Sequence, residues 1–303
     1  VSPARDRQEV RVEVDGRTLT ISSLDKVLYP RTGTTKGEVL HYYAQVAPVL
    51  LPHVADRAVT RIRWPHGVQE GSFFEKNTPP GTPSWVRTVK VPTTGSRGTS
   101  RHGDTLVFPV ADDLATLTWL VNLAALELHV HQWKVGRNGR PRNADRLVVD
   151  LDPGEPAGLH ECCQVALLVR ERLEERGLAG KPVTSGSKGL HLYADLPRRL
   201  PSEEVTALAK ELAEDLQRAH PGEVTATMTK SRRGGKVFLD WSQNAASKTT
   251  ISPYSLRGKE RPTVATPVTW AEVEAGAEDP EGLGQFLFTE VLDRVAEHGD
   301  LFA

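Results

Sequence analysis

Asp150 and Asp152, in the stretch Leu147-Val-Val-Asp-Leu-Asp-Pro-Gly154, set two carboxylates one residue apart in an apolar run. Leu147, Val149 and Leu151 alternate with Val148, Asp150 and Asp152, the period-2 pattern of a buried or half-buried strand. On such a strand both carboxylates point to one face, about 6.7 Å apart at Cα for a two-residue step. Pro153-Gly154 ends the strand and leaves the pair at its C-terminal tip. Two like charges there are costly unless something cationic holds them, and a hard divalent metal is the usual partner. A third carboxylate, Asp240, ends another apolar run, Val237-Phe-Leu-Asp240.

The segment Ser185-Gly-Ser-Lys-Gly189 lies between a strand around Pro182–Thr184 and the alternating Leu190-His191-Leu192-Tyr193. It is not a Walker A loop, because a Gly-Lys-[Ser/Thr] opening a helix is missing. Gly186 and Gly189 still let backbone N–H groups approach phosphate oxygens, while Ser185, Ser187 and Lys188 add donors and charge. With the Asp set, this is a coherent kit for phosphoryl transfer. Three carboxylates can hold two divalent ions about 3.5–4 Å apart, one acidifying an attacking hydroxyl and one neutralising a leaving pyrophosphate. Lys and Arg then clamp the triphosphate. A strand over Leu126–Trp133 is expected to carry His129 and His131 on one face. With no Cys or third His nearby, metal ligation by this pair is disfavoured against ligand hydrogen bonding or packing.

The 303 residues carry a net charge of −1, which argues naively against a nucleic-acid partner. The distribution argues the other way. Between Lys76 and Gly103 there is no acid, and between Val224 and Lys259 Asp240 is the lone acid among seven cations, Arg233 included. Segregation of this kind makes a local positive surface suited to a polyanion. Charged residues are 25% of the chain and no apolar run approaches the ~18 residues of a membrane span, so disorder and membrane insertion are not indicated. The adjacent Cys162 and Cys163 suit neither a disulfide framework nor a thiolate metal site, which fits a reducing, intracellular setting.

The elements that must hold these residues follow from pattern. Val10–Val14 and Leu19–Ile21 around Asp15-Gly16 read as a hairpin. Thr35-Lys-Gly-Glu38 is a capping box that opens a helix and puts Lys36 at an anion-favouring N-terminus. Val59–Arg63 reads as a strand with Arg61 and Arg63 on one face, and Phe73-Phe74 beside Lys76 could stack on a base. A basic, Pro/Gly/Ser/Thr-rich loop is expected at 92–103. Helices are expected from Asp112 or Asp113 to about Ala125, over 160–176, over 202–219 with Ser202 as N-cap, and over roughly 285–298.

Longer motifs carry a resemblance. Asp25-Lys-Val-Leu-Tyr-Pro30, Phe73-Phe-Glu-Lys76, Val148–Gly154, Val183–Tyr193, Val237-Phe-Leu-Asp-Trp-Ser-Gln-Asn244, Lys248-Thr-Thr and Pro253–Gly258 occur in order along nearly the whole chain. Together they resemble the polymerase domain of bacterial ligase D, a branch of the archaeo-eukaryotic primase superfamily. The resemblance implies an α/β fold of the α+β type: a primase-polymerase palm of mostly antiparallel sheet flanked by helices, with an N-terminal α/β module. It implies one catalytic domain over 1–303, with a DNA-binding module at roughly 10–110 packed on a palm at roughly 111–303.

The same resemblance implies a metal-dependent, template-directed polymerase that fills gaps and extends ends in non-homologous end joining. Asp150, Asp152 and Asp240 would hold two divalent ions, Mn²⁺ or Mg²⁺. Ser185, Ser187, Lys188, Gly189, His191, Gln243, Lys248 and Arg257 would bind a ribo- or deoxynucleoside triphosphate, with His129 near its sugar. Lys26 and Lys36 match positions that bind a downstream 5′-phosphate. Phe73 or Phe74 would stack at the template or gap, and Arg233 belongs with the DNA contacts. Ile62 departs from the basic residue usual there, leaving Arg61 or Arg63 to compensate. Implied partners are gapped or broken duplex DNA, a Ku-type end-binding protein and a DNA ligase, in a bacterial, nucleoid-associated cytoplasmic setting. Two rivals use the same residues: a two-metal nuclease on DNA ends, and a non-catalytic end-binding module. No Lys-x-Asp-Gly ligase nucleophile occurs.

Overall fold

Residues 9–92 and 105–303 are described by a computed structural model. Most of the basic segment expected at 92–103 lies outside the described residues. The chain opens with β1 (Glu9–Val14), β2 (Arg17–Ser22), β3 (Val27–Tyr29) and β4 (Thr34–Thr35), then helix α1 (Lys36–Val54). β5 (Val59–Arg63), β6 (Phe73–Glu75), β7 (Thr88–Pro92) and β8 (Thr105–Pro109) precede α2 (Leu114–Asn122). Next come β9 (Ala125–Val130), β10 (Trp133–Val135), β11 (Pro141–Pro153), α3 (Leu159–Glu174), β12 (Gly180–Thr184), β13 (Leu190–Leu200) and α4 (Ser202–Ala219). β14 (Val224–Thr225), β15 (Val237–Asp240), β16 (Thr250–Ile251), β17 (Thr266–Pro267), α5 (Trp270–Glu278) and α6 (Phe288–His298) complete the fold.

Two sheets frame the molecule. The larger runs β14-β15-β11-β13-β12-β17, with β10 also on β11, and is antiparallel except for β14 on β15. The smaller runs β16-β9-β5-β6 and is antiparallel throughout. This is the mixed, mainly antiparallel α/β architecture expected from the sequence. Leu147, Val149 and Leu151 share one buried cluster with Val165, Val169 and Leu173 of α3 and Val205, Leu212 and Leu216 of α4. Val148 and Tyr193 belong to a second cluster, with Leu126 and Leu128 of β9 and Tyr42, Tyr43, Val46 and Leu50 of α1. Both faces of β11 are thus covered, and its acidic tip emerges where the two sheets meet. No helix among the described residues is long and apolar enough to cross a membrane.

The expected capping box closes α1: Thr35 Oγ1 accepts from Glu38 N (3.2 Å) and Glu38 Oε2 accepts from Thr35 N (2.8 Å). Three boundaries move. The strand expected over Leu126–Trp133 breaks after Val130, because β10 leaves for the larger sheet. His131 therefore does not share a face with His129: it is 2% exposed, its Nδ1 is bonded to Ala58 O at 3.2 Å, and its ring stacks on Trp133 at 4.2 Å. Pro201, not Ser202, is the N-cap of α4, and the last helix starts at Phe288.

Candidate active site

β11 sits between β15 and β13, and register decides what faces the Asp pair. Asp150 is opposite Asp240 on one side and His191 on the other. Asp150 Oδ1 lies 3.3 Å from His191 Nε2. The Asp152 carboxyl is raised above its ordinary value, first by desolvation and then by the negative charge of Asp150, with Asp240 adding a little. Asp240 Oδ1 accepts from Ser242 N (3.0 Å) and Ser242 Oγ (2.6 Å), and Oδ2 accepts from Gln243 Nε2 (3.0 Å). Beyond Asp240 the chain turns into a short 3₁₀ segment, and the Asn244 side chain continues the ladder, bonding both N and O of Val148.

The 185–189 segment closes on itself. Ser185 Oγ accepts from Ser187 N (3.2 Å) and Gly189 N (3.1 Å), while Ser185 N donates to Gly189 O (3.0 Å). Both glycines are required. Gly186 has φ +67° and stands against Arg257, and a Cβ at Gly189 would lie 2.0 Å from Leu151 O. His191 Nδ1 is buried and has no hydrogen-bond partner in the protein. Lys188 Nζ reaches Glu155 Oε1 at 2.8 Å on the exposed rim.

The opposite wall comes from the smaller sheet. His129 on β9 pairs with Ile251 of β16, and its Nε2 meets Glu127 Oε2 at 2.8 Å. Glu127 also accepts from Gly258 N (2.9 Å) and lies 3.6 Å from Arg257 Nη1. Burial would raise its carboxyl, but His129, Arg257 and Gly258 outweigh that and hold it below the usual carboxylate range. Tyr193 Oη donates to Ile251 O at 3.0 Å and ties the two walls together.

Between them is a cleft of about 200 Å³ lined by His129, Asp150, Asp152, Ser185, Ser187, Lys188, His191, Gln243 and Arg257, all singled out from sequence, together with Thr249, Thr250 and Ile251. Gly189 lies beneath as backbone support, and Lys248 is exposed outside the lining. Glu127 was missed, although its two-residue offset from His129 on one strand was a usable signal. As the side chains stand, no three His, Cys, Asp or Glu groups among the described residues form a closed metal cage. The donor chemistry nevertheless fits divalent ions: hard oxygens, an Asp152 carboxyl raised by desolvation and then by Asp150, and a lone pair left on Asp240 Oδ2.

The residues named for DNA are more dispersed. Lys26 and Lys36 adjoin, with Lys36 N bonded to Lys26 O at 2.8 Å. Lys36 is 5% exposed, and its Nζ donates to Ser22 O and Asn122 Oδ1. Arg61 is fully buried and Arg63 half-buried, and Glu75 pairs with both, so neither guanidinium is free to replace a basic residue at Ile62. Phe73 and Phe74 are 50% and 59% exposed on the edge strand β6, with Lys76 Nζ 5.9 Å from the Phe74 ring. Arg233 stacks over Phe238 at 3.5 Å and bonds Met228 O.

A family model for the LigD primase-polymerase domain matches residues 35–302. The chain belongs to this family. A LigD primase-polymerase domain is a nucleotidyltransferase, so the cleft belongs to an enzyme. A multifunctional non-homologous end joining DNA repair protein LigD of Mycobacterium tuberculosis H37Rv is 50% identical over 289 residues, covering 93% of this chain and 36% of that protein. A bifunctional LigD of Bacillus subtilis is 35% identical over 284 residues, covering 93% and 43%. The chain thus spans less than half the length of these relatives. Among solved structures, the polymerase domain from Mycobacterium tuberculosis ligase D, in complex with DNA, matches with a TM-score of 0.86 and 48% identity over 93% of this chain and 96% of that one.

Proposed function

We propose that this chain adds ribo- or deoxynucleotides to a DNA 3′ end opposite a template strand, filling gaps and extending ends during end-joining repair. One observation carries the reading: Asp150 is flanked in register by Asp240 and His191 and opens onto a cleft shared with Ser185, Lys188 and Arg257. The relatives named for end joining and the DNA-bound neighbour support it.

Asp150, Asp152 and Asp240 would hold two divalent ions, Mn²⁺ or Mg²⁺, which when bound acidify the 3′-hydroxyl and offset charge on the leaving pyrophosphate. Ser185, Ser187, Lys188, His191 and Arg257 hold the triphosphate, with Gln243 and Lys248 at its margin. His129 meets the sugar. In the transfer, the 3′ oxygen bonds to the α-phosphorus, the bond to pyrophosphate breaks, and the hydroxyl proton passes to solvent. Lys26, half-buried beside the N-terminus of α1, holds a downstream 5′-phosphate, with the buried ammonium of Lys36 adding positive charge from behind, while exposed Phe73 and Phe74 and Arg233 meet DNA. In this reading residues 1–303 form one catalytic domain, with a DNA-binding module at roughly 10–110 on a palm at roughly 111–303. A Ku-type protein and a DNA ligase are its partners, at the bacterial nucleoid.

The test offers single nucleotides on four gapped, 5′-phosphorylated duplexes that differ in the templating base. Incorporation only of the complementary nucleotide is expected. Shortened products identify a nuclease instead, and DNA binding without new product identifies an end-binding module.

A further inference from the structure

We propose that Glu127 is a positioning residue of the nucleotide cleft, a buried carboxylate that fixes His129, Arg257 and the Gly258 backbone together. The inference rests on the reading of this cleft as a nucleotide site and assigns a role to a residue behind its lining. Glu127 lies in β9 opposite Ile62, two residues before His129, so the strand sends both side chains the same way. It is 4% exposed, and a carboxylate so enclosed persists as an anion only where donors satisfy it.

Its hydrogen-bond and ionic partners belong to the cleft wall. Oε2 meets His129 Nε2 at 2.8 Å and faces Arg257 Nη1 at 3.6 Å, and Oε1 accepts the Gly258 N–H at 2.9 Å. These donors outweigh desolvation and hold the carboxyl below its usual range, so it is ionised at neutral pH. An ionised carboxylate only accepts, so His129 Nε2 must carry a hydrogen, and Nδ1 is the ring nitrogen left to meet a ligand. The same charge draws the Arg257 guanidinium to the cleft, where Arg257 also packs against Gly186 of the phosphate-type loop. The Arg257 carbonyl accepts from Tyr29 Oη at 2.8 Å, so the 257–258 segment is pinned from two sides. A carboxylate buried against two lining side chains and the adjoining backbone holds a binding wall in place before the ligand arrives.

The test is a nucleotide titration without turnover. Wild type, E127Q, H129A, R257A, the double variant H129A/R257A and the triple variant E127Q/H129A/R257A are each loaded on a gapped, 5′-phosphorylated duplex with a dideoxy 3′ terminus. Each is then titrated with ATP and Mn²⁺, and affinity for the DNA alone is measured in parallel. Glutamine keeps the size of Glu127 and removes its charge. E127Q is expected to weaken ATP binding about tenfold, the scale of one charge-assisted hydrogen bond, with DNA affinity unchanged. Adding E127Q to H129A/R257A is expected to change little further, because the carboxylate acts through those two side chains. The proposal is overturned if E127Q binds ATP like wild type while H129A or R257A does not. It is equally overturned if E127Q weakens ATP and DNA binding together, or if its effect persists undiminished in the triple variant. If H129A and R257A both bind ATP like wild type, the cleft reading itself fails and this inference falls with it.

Discussion

Asn244→Ala should unfasten the strand that carries Asp150 without touching a carboxylate. Asn244 is 1% exposed; its Oδ1 accepts from Val148 N at 2.9 Å, and its Nδ2 donates to Val148 O at 2.7 Å and to Trp241 O at 3.0 Å. β15 pairs with β11 only from Asp150 to Pro153, so at Val148 this amide stands in for the missing strand residue. Val148 is fully buried, and alanine leaves its N–H and C=O without partners. Each buried unsatisfied group costs about 1–3 kcal/mol, so the expected loss is about 2–6 kcal/mol. Asn244→Asp keeps the acceptor but loses the donor, and it adds a negative charge near Asp150, so it should be no better. Urea unfolding followed by far-UV circular dichroism measures the loss. Single-turnover incorporation should fall as well, because the same turn holds Gln243 against Asp240. A loss below about 1 kcal/mol with both backbone groups buried would refute the reasoning.

Other perturbations have equally definite outcomes. Gly189→Ala places a Cβ 2.0 Å from Leu151 O, a backbone atom that cannot swing aside, so β11 and β13 must part beside Asp150; unfolding and incorporation assays should both show severe loss. Burial pushes His131 down to about 3 from its ordinary 6.5. The unfolded chain therefore binds the extra proton first, and stability falls as pH drops from 6.5 toward 3, by at most about 1.4 kcal/mol per pH unit. His131→Phe should flatten that part of the stability–pH curve, and equal slopes for the two proteins would exclude His131 as its source. Glu155→Gln should leave the melting temperature unchanged, because its pair with Lys188 is exposed, and should tighten ATP binding at low salt by freeing the ammonium.

Much of the site is legible in the sequence because it is built from strand period and loop chemistry. Leu147, Val149 and Leu151 announce the buried face of β11, and Asp150 and Asp152 are its complement. Asp240 ends a short apolar run, and the glycines at 186 and 189 mark close approaches: a Cβ at Gly189 would lie 2.0 Å from Leu151 O, and one at Gly186 2.6 Å from the Arg257 side chain. What could not be read depends on partners far along the chain. Lys36 looks like an exposed helix N-terminus until Ser22 and Asn122 arrive at its ammonium. Arg61 and Arg63 look like a phosphate-facing pair until Glu75, on the neighbouring strand, takes both. The His129–His131 alternation breaks because the chain changes sheets between Val130 and Trp133, a tertiary event with no local signature. For Glu127 the sequence offers its shared strand face with His129, but not Arg257 and Gly258, which reach it from 130 and 131 residues along the chain.

The central claim is that the Asp150 face of β11 performs templated nucleotidyl transfer. Extension of the 3′ end on a gapped, 5′-phosphorylated duplex with Mn²⁺, comparing wild type with folded Asp150→Ala, tests it most directly. The account predicts lengthening by the templated nucleotide in wild type and none in the variant, with DNA affinity retained. Equal extension by both proteins, or no extension by wild type, would contradict it.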